Sequence, residues 1–297
     1  DAGRPGGPLR LHASVVEVYN DGVFDLLGDR KKVALRTNGA GQLCARGETV
    51  KCELDAATAA AKGAEFAVTT EGLRTVEITS EAHLDDMYRI SKAHRAVGSS
   101  SLHDQSSRSH AIFRLEVVDA PLLAAREELE EAESIKPGVQ SAFAKTPKLE
   151  IKKRLAAIEA TIERCTKAVD SMVGPKAEAA RASLSAVGGT LILVDLAGAD
   201  SDARDVSAAA GGTFAEERKE SQAINKSLLA LKECLRGLHA AHVRGVAPGK
   251  LPFRDSSVTR LLEEVLMPQP GRDSDTVMLV NVAPPARLER KTVNSLR

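Results

Sequence analysis

"GGTLILVDLAG", residues 188 to 198, decides how the chain is read. The apolar run from Leu191 to Val194 suits a central strand buried on both faces of an α/β sheet. Asp195 ends the run and Gly198 follows closely. An acidic side chain at the C-terminal end of such a strand is where nucleotide-binding α/β folds hold Mg²⁺, usually through water. A glycine just beyond lets a backbone N–H approach a phosphate oxygen with no Cβ in the way. Taken alone, the segment is equally a plain strand-to-loop turn closed by an aspartate.

Elements on either side alternate in period. "HASVVEVYN" (12–20) is a β-branched strand ending at the turn signal Asn20-Asp21-Gly22, after which "VFDLL" resumes an apolar face. "KKVALRT" and "GQLCARGETVKCEL" read as further strands, and the Ala-rich 55–68 as a variable excursion. "GLRTVEITSEAHLDDMYRISKAHR" is a strand and then a helix, with Thr79-Ser80 at the cap and Leu84, Met87 and Ile90 at helical spacing. A second strand, "HAIFRLEVV", carries the polar run "QSSRSH" on its lip. Beyond 198, a helix through "INKSLLALKECLRGL" aligns Ile224, Leu228, Leu231, Leu235 and Leu238; "LPFRDSSVTRLLEEVL" is another helix with Asp255 as its cap, and "DTVMLVNVAP" a buried strand. Strands alternating with helices give a three-layer α/β domain.

One region has a different character. Leu122, Ala125, Leu129 and Ala132, then Leu155, Ile158, Ile162, Cys165, Val169 and Met172, recur at steps of three and four on either side of a break at Pro137-Gly138. Two short seams of this kind predict an antiparallel helical hairpin packed on itself, inserted at 120–188.

Composition excludes some classes. Lys+Arg and Asp+Glu are 41 each, so no overall charge draws the chain to nucleic acid or an acidic membrane. With no Trp, six Phe and two Tyr, base-stacking surfaces are not expected. Cys44, Cys52, Cys165 and Cys234 form no CxxC pair and have no His at metal spacing, which fits a reduced, intracellular chain; a Cys44–Cys52 bridge is the lesser alternative. No apolar run reaches 18 residues, so no membrane span is expected. "DAGRPGGPLR" lacks an initiator Met and an apolar core, and reads as a cut end rather than a signal peptide.

"SSRSH" (106–110), "DLAG" (195–198) and "INKSL" (224–228), with "VVEVYNDGVFDLL", "LPFRDSSVTRLLEEVL" and "TVNSLR" in this order, closely resemble kinesin motor domains. "VFDLL" and "INKSLLALKECLRGL" look most like the internal-motor kinesins that depolymerise microtubules. The resemblance implies a three-layer, P-loop NTPase-like motor domain over 1–297, incomplete at its N-terminus, with the helical hairpin inserted. It implies ATP and Mg²⁺ as cofactors, microtubules as partner, a cytoplasmic, cytoskeletal location, and ATP hydrolysis coupled to microtubule binding, as movement or depolymerisation, in the intact protein. SSRSH resembles switch I, so Ser106 and Ser107 are expected at the γ-phosphate, Ser107 also on Mg²⁺. DLAG resembles switch II, which gives Asp195 a water-mediated role at Mg²⁺ and the Gly198 amide contact with the γ-phosphate. The family pairs the switch I arginine, here Arg108, with a Glu that is Asp200 in this chain. His103 stands where an Asn is usual, which reads as a tolerated substitution. The INKSL helix resembles the relay helix of the microtubule face, and Lys226, Arg254 and Arg260 match tubulin-contacting positions. Ser257 replaces the usual Lys between the two arginines, which predicts weaker electrostatic docking.

No GxxxxGK[ST] occurs, and "APGKLPF" (247–253) lacks both the leading Gly and the hydroxyl. Without that loop there is no backbone cradle for the α/β-phosphates. The expectation is that it precedes residue 1 in the intact protein and that these residues alone do not turn over ATP. The contrasting expectation is a degenerate, non-catalytic kinesin-like module that binds tubulin, or a partner through the helical hairpin.

Overall fold

The computed structural model describes residues 7–37, 43–53, 66–97, 108–173, 186–198, 214–268, 274–281 and 293. The polypeptide begins with β1 (Arg10–Tyr19) and β2 (Gly22–Asp25), joined by Asn20 and Asp21 at φ 49° and 63°. Positive φ at both turn positions gives the twist a two-residue hairpin needs, and Asn and Asp tolerate it. β3 (Lys31–Thr37), β4 (Leu43–Glu53) and β5 (Phe66–Gly72) continue the sheet outward, and β6 (Val76–Ile78) pairs with the start of β1. β7 (His110–Val118) lies on the other side of β1, and β8 (Thr190–Asp195) beyond it. The resulting order is β5-β4-β3-β2-β1-β7-β8.

Alternation along β1 builds the layers. Val16 and Val18 point to one face with Val23, Val33 and Ile112, and are covered by Leu231 of α4 (Phe214–Arg244) and by Val258 and Leu262 of α5 (Ser257–Leu266). Ala13 and Val15 point to the other, where Leu26, Leu27 and Met87 of α1 (Glu81–Val97) close the core. Two apolar faces on one sheet force helices onto both sides, the three layers expected of a kinesin-like motor fold.

The inserted hairpin consists of α2 (Ala120–Lys145) and α3 (Leu149–Val173). Asp119 caps α2 by accepting from the Leu122 N–H at 3.0 Å. Its base is fastened by Leu122, Val118 and Val187, with Val169, Met172 and Val173 against them. Ion pairs Arg164–Glu128 and Lys136–Glu159 cross between the helices.

Five expectations are corrected. Pro137-Gly138 does not break the hairpin helix, since α2 runs through both. Packing along α3, including buried Val139 two residues later, outweighs one missing hydrogen bond. β8 is not central: among the described residues it pairs with β7 alone, and Leu191 and Leu193 are 57% and 54% exposed. Residues 274–281 form no strand, and Val277 and Leu279 are exposed, because a ladder needs a neighbouring backbone and none of the described strands lies beside them. The cap of α5 is Ser256, whose hydroxyl accepts from the Val258 N–H; Asp255 belongs to the 3₁₀ turn Phe253–Asp255 before it. On α1, Leu84 and Met87 face the core but Ile90 is exposed.

Pro137 has no N–H to donate one turn back, and its ring crowds the Glu133 carbonyl, so Pro137→Ala is expected to raise unfolding stability by ~1–3 kcal/mol in urea titrations. Leu122→Ala, at a side chain with no exposed surface, should lower it by ~3 kcal/mol.

Candidate functional site

The described parts of SSRSH and DLAG meet where β7 begins and β8 ends. Ser109 and His110 open β7, Asp195 closes β8, and β7 pairs Ala111 opposite Asp195. Both are met by Arg95 from the last turn of α1. Its guanidinium donates to Asp195 Oδ2 at 2.6 Å, to Ser109 Oγ at 2.9 Å and to the Ser109 carbonyl at 2.6 Å. Arg95 is 8% exposed, while the Asp195 side chain remains 63% exposed. A buried guanidinium must be paired; here it fixes one carboxylate oxygen of Asp195 and leaves the rest of the group facing outward.

His110 is buried beside this pair. Its Nδ1 accepts from the Ala197 N–H at 3.1 Å, and its Nε2 lies 2.8 Å from Ser227 Oγ of α4. Ser227 in turn donates to the Ile224 carbonyl at 2.7 Å. Burial, and then the Arg95 charge, lower the His110 pKa from 6.5 to about 4, with Asp195 opposing in part. The ring is therefore neutral at neutral pH.

Arg108, just ahead of β7, pairs with Glu220 of α4 at 2.8 Å, and Glu220 also accepts from the Tyr19 hydroxyl. The residue expected to meet Arg108, Asp200, lies outside the described residues, as do Ser106, Ser107 and His103. Gly198 is described: a Cβ there would meet no atom within 4 Å among the described residues, so nothing in the fold occupies the space beside it.

The microtubule-side candidates lie on α4, the 3₁₀ turn and α5. Lys226 is 61% exposed, 3.8 Å from Asp21. Arg254 is exposed, and Arg260 is half-buried with Nη2 3.4 Å from the Leu35 carbonyl. Ser257 is buried between them, its N–H and hydroxyl both donating to Asp21 at 2.7 Å. A lysine at 257 would lose the hydroxyl's bond to the Asp21 carbonyl in the β1–β2 turn.

Sequence reading missed Arg95, Glu220 and His110 as a connected set. Helical spacing marks Arg95 as an ordinary C-terminal cation, and only the approach of three elements gives it a role. The described residues hold no group of three or more His, Cys, Asp or Glu placed for a metal. The donor set fits a Mg²⁺–phosphate group on its γ side: Asp195 offers an exposed carboxylate already engaged at one oxygen, suited to a ligand reached through water.

A family model described as the kinesin motor domain matches residues 7–135 and 167–297. The unmatched 136–166 is the outer part of the α2–α3 hairpin. Kinesin-like protein KIN-13B of Arabidopsis thaliana is 25% identical over 97% of this chain, and KIN-4C of the same plant 28% over 97%. These alignments cover 28% and 17% of those proteins, and the chain spans about a quarter of the length of the curated relatives it matches. Among solved structures, the C-terminal motor and motor homology domain of Kar3Vik1 superposes with a TM-score of 0.53 at 21% identity, covering 97% of this chain and 50% of that one. The motor domain of Saccharomyces cerevisiae Kar3 gives 0.51 at 21%, covering 97% and 58%. Both likenesses concern the fold.

Because folded His110 holds its proton less tightly than the unfolded chain, its contribution to stability is complete above pH 6.5 and lost as pH falls toward 4. Across that window the stability advantage of the parent over His110→Leu is expected to shrink by ~3 kcal/mol, read from urea unfolding at each pH.

Proposed function

The chain belongs to the kinesin motor-domain family, and from that premise we propose that the intact protein is a microtubule-based motor in which ATP binding and hydrolysis at the β7/β8 end are coupled to tubulin through α4. The observation that carries this reading is the joining of SSRSH to one helix, with DLAG attached through it: Arg108 reaches Glu220 and His110 reaches Ser227, both on α4, while His110 also accepts from the Ala197 N–H.

Ser106 and Ser107 would hold the γ-phosphate and, with Asp195 through water, a Mg²⁺ ion, and the Gly198 amide would donate to the same phosphate; the ion would supply charge stabilisation on the oxygens of the transferred phosphoryl group. Arg95 keeps the Asp195 carboxylate oriented by donating to one of its oxygens. These 297 residues contain no GxxxxGK[ST] from which to build the α/β-phosphate cradle. Asp200, one methylene shorter than the family's Glu, completes with Arg108 the closed arrangement of the switches, for which Glu220 must release the guanidinium. Lys226, Arg254 and Arg260 face tubulin's acidic surface, where exposed charges act chiefly on encounter rate. The protein works in the cytoplasm on the microtubule cytoskeleton.

The test is microtubule-stimulated ATPase of the intact protein beside its Gly198→Ala variant. A methyl group at 198 meets no atom within 4 Å among the described residues, so melting should be unchanged while stimulated turnover falls by about 100-fold, the scale of holding one preorganised donor away from a developing charge. A parent protein that binds microtubules without turning over ATP would instead be a non-catalytic kinesin-like module.

A further inference from the structure

We propose that His110 is a positioning residue that ties the switch II backbone to the relay helix, so that displacement of the Ala197 peptide and displacement of α4 are one event. What that displacement accomplishes rests on the motor reading above; that it is shared does not.

The hydrogen bonds allow a single proton arrangement. The Ser227 hydroxyl proton is committed to the Ile224 carbonyl one turn earlier, so Oγ presents a lone pair to the ring. Nε2 must therefore carry the proton and donate, which leaves Nδ1 to accept from the Ala197 N–H. A second proton on Nδ1 would face that N–H, and moving the single proton to Nδ1 would break both contacts. The ring is 3% exposed, so water cannot readily replace either partner. Charged groups face it from two further elements, Arg95 from α1 and Asp195 from β8. The imidazole is thus a rigid bar between a loop amide and a helix hydroxyl.

The surrounding packing makes this bar unusual. Much of the contact between the sheet and α4 and α5 runs through apolar side chains such as Ile112, Leu231 and Val258, which tolerate sliding, with polar contacts of α5 at Asp21 and the Leu35 carbonyl. At the start of β7 the contacts are polar and directional. Arg108 and His110 are two residues apart, on one side of the extended chain, and Glu220 and Ser227 are seven apart, two turns along one face of α4. Such contacts are lost within about 1 Å of movement, so this end of the helix is either engaged or released.

The experiment uses the intact protein without nucleotide or microtubules, so its outcome is independent of ATPase activity. Imidazole ¹⁵N NMR of the unmodified protein at neutral pH should find His110 neutral with its proton on Nε2; a cationic ring, or a proton on Nδ1, overturns the proposal without any variant. Ser227→Ala should then speed amide exchange at Ala197 about tenfold, and Ser227→Thr should restore protection. His110→Asn, which keeps an acceptor near the Nδ1 position but does not reach Ser227, should make Ala197 exchange insensitive to Ser227→Ala. Ala197 exchange unchanged by Ser227→Ala in the parent, or equally changed in the His110→Asn background, means the coupling does not run through the imidazole and the proposal fails.

Discussion

A guanidinium taken out of water must be given partners, and the site is arranged around that demand. Arg95 sits on the last turn of α1, and its partners come from the beginning of β7 and the end of β8. Leaving such a charge buried and unpaired costs several kcal/mol, so three elements distant in the chain are held to one place. Asp195 is oriented by that contact, and the Ser109 carbonyl is drawn toward α1. His110 is left facing the opposite way, toward α4. The charge of Arg95 also helps keep the imidazole neutral, joining the electrostatics of the site to its hydrogen-bond pattern.

The strand that carries these groups separates two kinds of structure. β7 starts at His110, the last residue of SSRSH, and ends eight residues later at Val118 beneath the hairpin. The hairpin base is apolar and fastened to the sheet, whereas its helices are otherwise held to one another by cross-helix ion pairs and a narrow apolar seam. The part of it that the kinesin family model leaves unmatched, 136–166, is the part farthest from that base. An arm built this way can vary in length and surface without disturbing the opposite end of β7, because its described contacts outside the hairpin lie at Glu116, Val118 and Val187.

The β1–β2 turn shows how a local backbone choice reaches α4 and α5. Positive φ at Asn20 and Asp21 makes the tight hairpin possible, and the tip so formed offers Asp21 to Ser257 and to Lys226. The serine that stands where relatives are expected to carry a lysine is therefore a buried structural contact and not a surface charge that has merely been lost. α5 begins one residue later than its aspartate suggested, since Ser256 is the side chain that accepts the first-turn N–H.

Much was legible in the chain itself. Period-two runs mark β1 and β7, the period-3.6 face of α4 marks the helix that covers them, and the two seams mark the hairpin, because these patterns are local consequences of which side chains must avoid water. SSRSH, DLAG and INKSL in order identify the family for the same reason: each is a short stretch whose chemistry is contained within it. What the sequence could not carry was anything set by a neighbour distant along the chain. The apolar "LILV" run reads as central although β8 pairs on one edge among the described residues, and "VMLVNV" reads as a strand although no described strand flanks it, since burial belongs to the partner and not to the residues. Pro137 reads as a break although packing carries the helix through it. Arg95, Glu220 and His110 are unremarkable letters until α1, α4 and the two switch segments converge, and only the tertiary structure decides that, because hydrogen bonds and ion pairs depend on distance in space.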